Sequence, residues 1–444
     1  MTKTLDAVQT TDQLPDATTV VIIGGGIIGV TAALTLAERN IPVVLLEKGH
    51  IAGEQSSRNL GWIRKTRRLF SCKVTFFKQD SRHFEDVPLA MAADKLWAEM
   101  PERIGQSVGY KQSGIMFLAK TEAQMAMHEA WLKSVGSLSL DSKMLSLKDI
   151  DQHVPGGKGN WQGGIYTPSD GRAEPSIAAT AMARAAISKG AIMVQNCAVR
   201  TLSTASGKIS GVVTEKGEIR CSQVLLAGGA WSRRFLGNHG ISLPTLPLIC
   251  SVLRTKSMES PTDISVGGPD FSFRKHKDGG FIITQRGALD AHITLDHLLI
   301  GWRYLSQLRA QRSFLRTSFG REFFKDLGLA RRWTANSRSP FEKIRTMDPS
   351  PNPDLNYEAL TNLRNAWPIF DKAEVEEAWA GVIDVTPDSN PVIDHIYDIP
   401  GLTIATGFSG HGFGTGPAAG QLAADLVSGV KPIIDPKPYR FERL

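Results

Sequence analysis

The chain has 444 residues, of which 42% are hydrophobic and 21% charged, an ordinary globular composition with room for two domains. No run of about 18 apolar residues occurs, so no spanning helix is expected. The net charge of +7 admits nucleic acid, a membrane surface or an anionic substrate as partner; no nucleic-acid motif accompanies it, and none of that class is expected.

Residues 1–17 are polar, with acids at Asp6, Asp12 and Asp16, and read as a disordered tail rather than a secretory or transit signal. An apolar, β-branched run from Val20 to Ile23 then leads into Gly24-x-Gly26-x-x-Gly29. A helical pattern follows, and then a second apolar strand, Val43–Leu46, closed by Glu47. This order of strand, glycine turn, helix, strand and acid is a βαβ unit for a dinucleotide. Gly24 permits the turn, Gly26 lets a pyrophosphate approach the backbone, and Gly29 lets the helix pack on the strand. Glu47, 21 residues after Gly26, is placed to accept hydrogen bonds from a ribose. The motif alone does not separate NAD from FAD.

A Gly- and Ser-rich loop over 51–64 comes next, followed by helices around 88–100 and 120–135. Asp170-Gly-Arg-Ala-Glu-Pro175 punctuates the chain before an Ala-rich helix over 177–189. A strand at 192–195, a hairpin-like pair around Gly207 and Gly217, and an apolar strand at 224–226 ending in Ala227-Gly228-Gly229-Ala230 return the chain to the nucleotide domain. The middle differs: Phe271 to Arg274 and Gly280 to Thr284 flank a Lys277-Asp278-Gly279 turn and predict an antiparallel hairpin. Between Asp296 and Trp333 bases outnumber acids, and Leu298, Leu299, Trp302, Leu305 and Leu308 recur at helical spacing. That pattern fits surface helices with a solvated basic face, or docking to an anionic membrane. A strand at 402–406 enters a second glycine-rich loop, Gly407 to Gly416. A helix is expected to start at Gly416 or Pro417 and to stop at Gly429, its positive end aimed at the loop. The four cysteines show no metal or disulfide spacing, which fits a reducing cytoplasm and no metal.

Taken together, GGGIIG with Glu47, Ser56 to Trp62, Tyr166 to Pro175, Val224 to Trp231, Trp379 to Asp388 and Gly407 to Gly420 resemble the D-amino-acid oxidase-like superfamily of FAD-dependent oxidoreductases. The resemblance is greatest to its bacterial D-amino-acid dehydrogenase and glycine oxidase branch. It implies an α/β fold: a Rossmann-like FAD domain of the glutathione-reductase type, interleaved with an α+β substrate domain on an antiparallel sheet. Residues 18–85, 150–235 and 375–444 are assigned to the first, 86–149 and 236–374 to the second. FAD, held without a covalent link, would lie on Gly24, Gly26, Ile27, Ile28, Gly29, Glu47 and Lys48 at its adenosine and diphosphate end, with Ser56 and Ser57 beside the diphosphate. Asn59, Leu60, Gly61 and Trp62 would follow the flavin ring, and Val199 would read adenine. Ala227, Gly228, Gly229 and Trp231 would pass the ribityl chain. Gly381, Asp384, Gly410, His411, Gly412, Phe413 and Gly414 would close the flavin end, with Gly410, His411 and Gly412 nearest the chemistry.

The activity so implied is oxidative deamination of a small amino acid, D-configured by resemblance. Hydride leaves the α-carbon for flavin N5, and the imine hydrolyses to a keto acid and ammonia. Oxidation of a secondary or carboxylate-free amine such as sarcosine, an imino acid or an opine is the alternative. Glycine-oxidase-like members carry a carboxylate-binding arginine four residues after the tryptophan of WxGxRP; here that position is Ile383, followed by Asp384. Arg274 and Arg286 on the predicted hairpin are candidate replacements, with Trp62 and Ile383 also lining the substrate. The basic–apolar segment over 64–78 reads as an edge strand, an insertion or a docking patch. O2 or a quinone would take the electrons, and the enzyme would be cytoplasmic or peripheral on the inner face of a membrane.

Overall fold

The computed structural model describes residues 5–65, 87–305 and 314–444. The 64–78 segment therefore falls outside the described residues, except Arg64 and Lys65, as do Leu308, Arg309 and Arg312 of the basic stretch.

The nucleotide half is a six-stranded sheet in the order Val392–His395, Leu402–Thr406, Gln223–Leu226, Val20–Ile23, Val43–Leu46, Ile192–Val194. All neighbours are parallel except the first pair. Its strands are short apolar runs because both faces are buried, one by helices and the other chiefly by the three-stranded antiparallel sheet of Val199–Ala205, Lys208–Thr214 and Glu218–Arg220. Val20–Ile23 lies in the middle, with the chain leaving it to one side for Val43–Leu46 and returning on the other with Gln223–Leu226. That reversal is the topological switch point, and the crevice beyond the carboxyl ends of these strands is where such sheets bind ligands. Helix Ile27–Glu38 packs against helices Pro175–Ser188 and Gly412–Ser428. The approach is close because small residues meet: a Cβ on Gly420 would lie 2.7 Å from the Ile28 carbonyl oxygen. Leu34 and Leu422, both fully buried there, each contribute about 2 kcal/mol.

The other half is a ten-stranded, mainly antiparallel sheet. Leu246–Thr255 pairs along its length with Val375–Val385 and, on its other side, with Phe281–Thr284. The expected hairpin is present: Ser272–Lys275 pairs with Phe281–Thr284, and Gly279 turns at φ +89°. Two segments differ from the sequence-based division. Gly163–Thr167 and Val375–Val385 were expected in the nucleotide half, yet they hydrogen-bond into the ten-stranded sheet. The tail also differs. Leu5, Val8 and Leu14 pack on the core, and the Thr11 N–H donates to the Met193 carbonyl at 3.2 Å, so burial of these few apolar side chains orders residues 5–17. Among the described residues no helix is long and apolar enough to cross a membrane.

Candidate active site

A cavity of about 1790 Å³ runs from the switch point to the second sheet. Its walls bring together Gly24, Gly26, Ile27, Ile28, Glu47, Lys48, Ser56, Asn59, Leu60, Gly61, Trp62, Val199, the 227–231 turn, Ile383, Asp384 and residues 410–414.

At one end the glycines divide their tasks by geometry. Gly24 turns at φ +115°, and a Cβ there would sit 2.4 Å from the Ala227 carbonyl oxygen. A Cβ on Gly29 would lie 2.1 Å from the Gly24 carbonyl oxygen, so Gly29 serves packing and does not line the cavity. At Gly26 a Cβ would meet only the Ser56 hydroxyl, at 3.1 Å. Helix Ile27–Glu38 begins there with no side-chain cap and no acid in its first turn. Its positive end is therefore left for an anion. The Ile27 N–H donates to Ser56 Oγ at 2.9 Å, leaving the hydroxyl proton free to donate in turn. Glu47 accepts from the Gly25 and Gly49 amides, each at 2.7 Å. Burial pushes its carboxyl above the usual range, against the pull of Lys48 and these amides. Lys48 donates to Glu54 at 2.6 Å and to the Arg345 carbonyl at 2.9 Å, and lies over the Trp231 ring. Ser57 turns away to the Glu54 carbonyl, and Gly381 packs on Gln55; neither lines the cavity.

The other end is built on the second glycine loop. Helix Gly412–Ser428 starts at Gly412, a turn earlier than expected, with Pro417 inside it. Glycine at 414 allows this, since a Cβ there would lie 2.7 Å from the Trp62 carbonyl oxygen. The N–H groups of Gly412, Phe413 and Gly414 have no acceptor within the helix and lie at the cavity wall. Asp384 fixes the loop, accepting from the Gly407 N–H at 2.6 Å and the Thr406 hydroxyl at 3.1 Å. Burial pushes its pKa up against these bonds. His411 Nδ1 lies 3.0 Å from the Ser409 carbonyl, and its Nε2 lies 3.0 Å from Arg64 Nη2. A guanidinium only donates, so Nε2 is the acceptor and the ring proton sits on Nδ1.

The candidate arginines separate. Arg274 is 1% exposed, forms a two-pronged pair with Glu174 at 2.8 Å on each oxygen, and donates to the Leu60 carbonyl. It lies outside the cavity and ties the hairpin to the loop over 59–61. Arg286 lines the cavity, donates to the Gly268 carbonyl at 2.8 Å and stacks 4.5 Å over the Phe117 ring. Burial, with Arg64 nearby, pulls its pKa down to about 9. An anion beside Arg286 would restore part of that lost stabilisation. Arg64 also lines the cavity, 5.4 Å from the same ring. Sequence reading passed over it as a site residue. Its signal was its place two residues after Trp62, where the strand Trp62–Ile63 ends at the cavity.

The sequence model of the FAD dependent oxidoreductase family, DAO, matches residues 19–426. The solved L-amino acid deaminase of Proteus myxofaciens, in complex with anthranilate, is 32% identical with a TM-score of 0.91, over 98% of this chain and 96% of that one. Sarcosine oxidase subunit beta of an Arthrobacter species is 25% identical over 96% of this chain and 90% of its own length. Mouse mitochondrial sarcosine dehydrogenase is 22% identical; the match takes in 97% of this chain and spans only 42% of that protein. FAD is the cofactor. Two helix N-termini, a buried carboxylate and a Gly26 wall that only a Cβ would fill suit a long group bearing ribose, diphosphate and a flat ring.

Proposed function

This chain belongs to the FAD dependent oxidoreductase family and is an enzyme acting on CH–NH bonds of amino acids or amines; we propose that its substrate is an α-amino acid of L configuration, released as a 2-oxo acid and ammonia. Bound FAD supplies the hydride acceptor. The chain's own residues bind and orient. The observation that carries the reading is Arg286, a buried guanidinium in the cavity wall, which is a carboxylate partner by charge and geometry. It takes the place of the arginine missing at Ile383, whose side chain instead packs towards Gly410. Arg64 holds the His411 Nε2 lone pair, so His411 serves the loop and takes no substrate proton while that bond stands. The Gly412–Gly414 amides and the helix behind them stabilise negative charge that develops beside them. The likeness to the Proteus deaminase favours the L configuration over the D configuration expected from sequence.

A second reading, oxidation of a secondary amine, is favoured by Ile383 and by the likeness to the sarcosine oxidase subunit. Anaerobic bleaching of the yellow holoenzyme separates the two. Bleaching by L-amino acids but not by sarcosine or proline supports the first; the reverse supports the second, and bleaching by D-amino acids alone sinks the configuration. Replacing Arg286 by leucine should raise KM by roughly 30-fold or more, the loss of a charge-assisted pair. The electron acceptor is O2 or a quinone, distinguished by turnover in air against turnover with a quinone dye. Peripheral membrane contact is supported by Leu298, Trp302, Phe319 and Phe324, each more than 60% exposed.

A further inference from the structure

Away from the FAD cavity, a second concavity of about 280 Å³ is lined by Arg233, Arg234, Arg331 and Arg332 with Asp296 and Ser242. Arg233 and Arg234 come from helix Ser232–Asn238, Asp296 from helix Leu295–Ile300, and Arg331 and Arg332 from the turn after helix Arg321–Leu327. Asp296 is bridged by Arg233 at 3.0 Å and by Arg331 at 2.8 Å. Asp326 is bridged by Arg331 at 3.2 Å and also by Arg234. Three guanidinium groups thus share two carboxylates and Arg332 adds a fourth positive charge to the lining, a formal excess of two around one hollow. The buried Nε groups of Arg233 and Arg331 have no acceptor among the described residues. Burial pushes the Arg234 pKa down, with Arg331 and Arg233 adding to the effect against the pull of Asp326. Such a set is under-neutralised, and a planar fork on each arginine matches phosphate oxygens.

We propose that this hollow is a binding site for a phosphate group. The helix that supplies Asp296 also exposes Leu298 and Leu299, 64% and 52% exposed, and runs on to Trp302. A phosphate carried by a lipid headgroup would bring acyl chains to that apolar face, which a free phosphate would leave bare. The site does not depend on which amine the enzyme oxidises.

The test uses the full-length holoprotein, with FAD absorbance reporting its fold. Binding to phosphatidylcholine vesicles with and without phosphatidylglycerol is measured by sedimentation, and inorganic phosphate is titrated in a thermal-shift assay. R331Q/R332Q should weaken binding to the anionic vesicles by roughly 30-fold, two basic residues' worth. The exposed pair K95Q/K372Q should change it far less. Should R331Q/R332Q lose its yellow colour, R332Q alone, at an exposed position, carries the test with an expected fall of roughly fivefold. Protection by inorganic phosphate, lost in the variant and without vesicle binding, assigns the site to a soluble phosphate. Unchanged vesicle binding together with no phosphate protection overturns the proposal.

Discussion

The two glycines Gly26 and Gly29 separate cofactor binding from folding, because the space around each differs. At Gly29 a methyl group would press 2.1 Å from a backbone oxygen and 3.2 Å from the Ile22 side chain. Neither the turn nor the strand can yield, so G29A overpacks the apoprotein by about 2 kcal/mol and lowers its Tm by roughly 4–8 °C. At Gly26 the same methyl meets only the Ser56 hydroxyl, at 3.1 Å. The apoprotein tolerates that within about 0.5 kcal/mol. The methyl nevertheless stands at the helix N-terminus where a pyrophosphate must approach. Loss of charge-assisted hydrogen bonds there, at about 1.5–3 kcal/mol, weakens FAD roughly 10- to 150-fold. The assay is a melt of FAD-stripped protein followed by FAD titration of its tryptophan fluorescence. G26A binding FAD as tightly as the parent would remove the pyrophosphate from this turn. G29A melting like the parent would refute the packing argument.

Replacing Arg274 by leucine takes the two-pronged partner from the buried Glu174 carboxylate, leaving it Arg172 at 3.6 Å and the Lys277 amide at 3.1 Å, and is expected to cost about 3 kcal/mol of stability, read by chemical denaturation; a change confined to KM would return Arg274 to the substrate site. Asp384→Ala orphans the Gly407 amide and leaves the Thr406 hydroxyl only the Gly229 carbonyl, and should cost about 1–3 kcal/mol while loosening FAD, measured by melting and by cofactor titration. Burial pushes the Asp170 pKa up to about 7, so the folded state holds a proton that the unfolded chain releases near 3.8, the ordinary aspartate value. Stability contributed at this site is present at low pH and is lost as pH rises towards 7. D170N should therefore gain on the parent progressively between these pH values, and a constant difference across them would contradict the shift.

How far the sequence reached is clearest at the two glycine loops. Val20 to Glu47 disclosed its own strand, turn and helix because each signal is local: β-branched residues, glycines at fixed spacing, then 3.6-residue periodicity. The second loop was located equally well, yet its helix began at Gly412, because the space at Gly414 is set by the Trp62 backbone, more than 300 residues away in the chain. Arg274 and Arg286 could not be told apart from sequence. Both sit on one hairpin, and Glu174, which neutralises Arg274, is 100 residues distant.

By itself, then, the sequence determined the nucleotide-binding unit and the placement of most local elements, since each rests on short-range sterics and periodicity; FAD rather than NAD followed only from the resemblance of its ordered motifs to a family. Only the tertiary structure decided which arginine faces the cavity, that Gly163–Thr167 and Val375–Val385 join the second sheet, and that Arg64 holds His411. Those outcomes depend on long-range strand pairing and on buried charges finding counter-charges, and neither leaves a local mark in the chain.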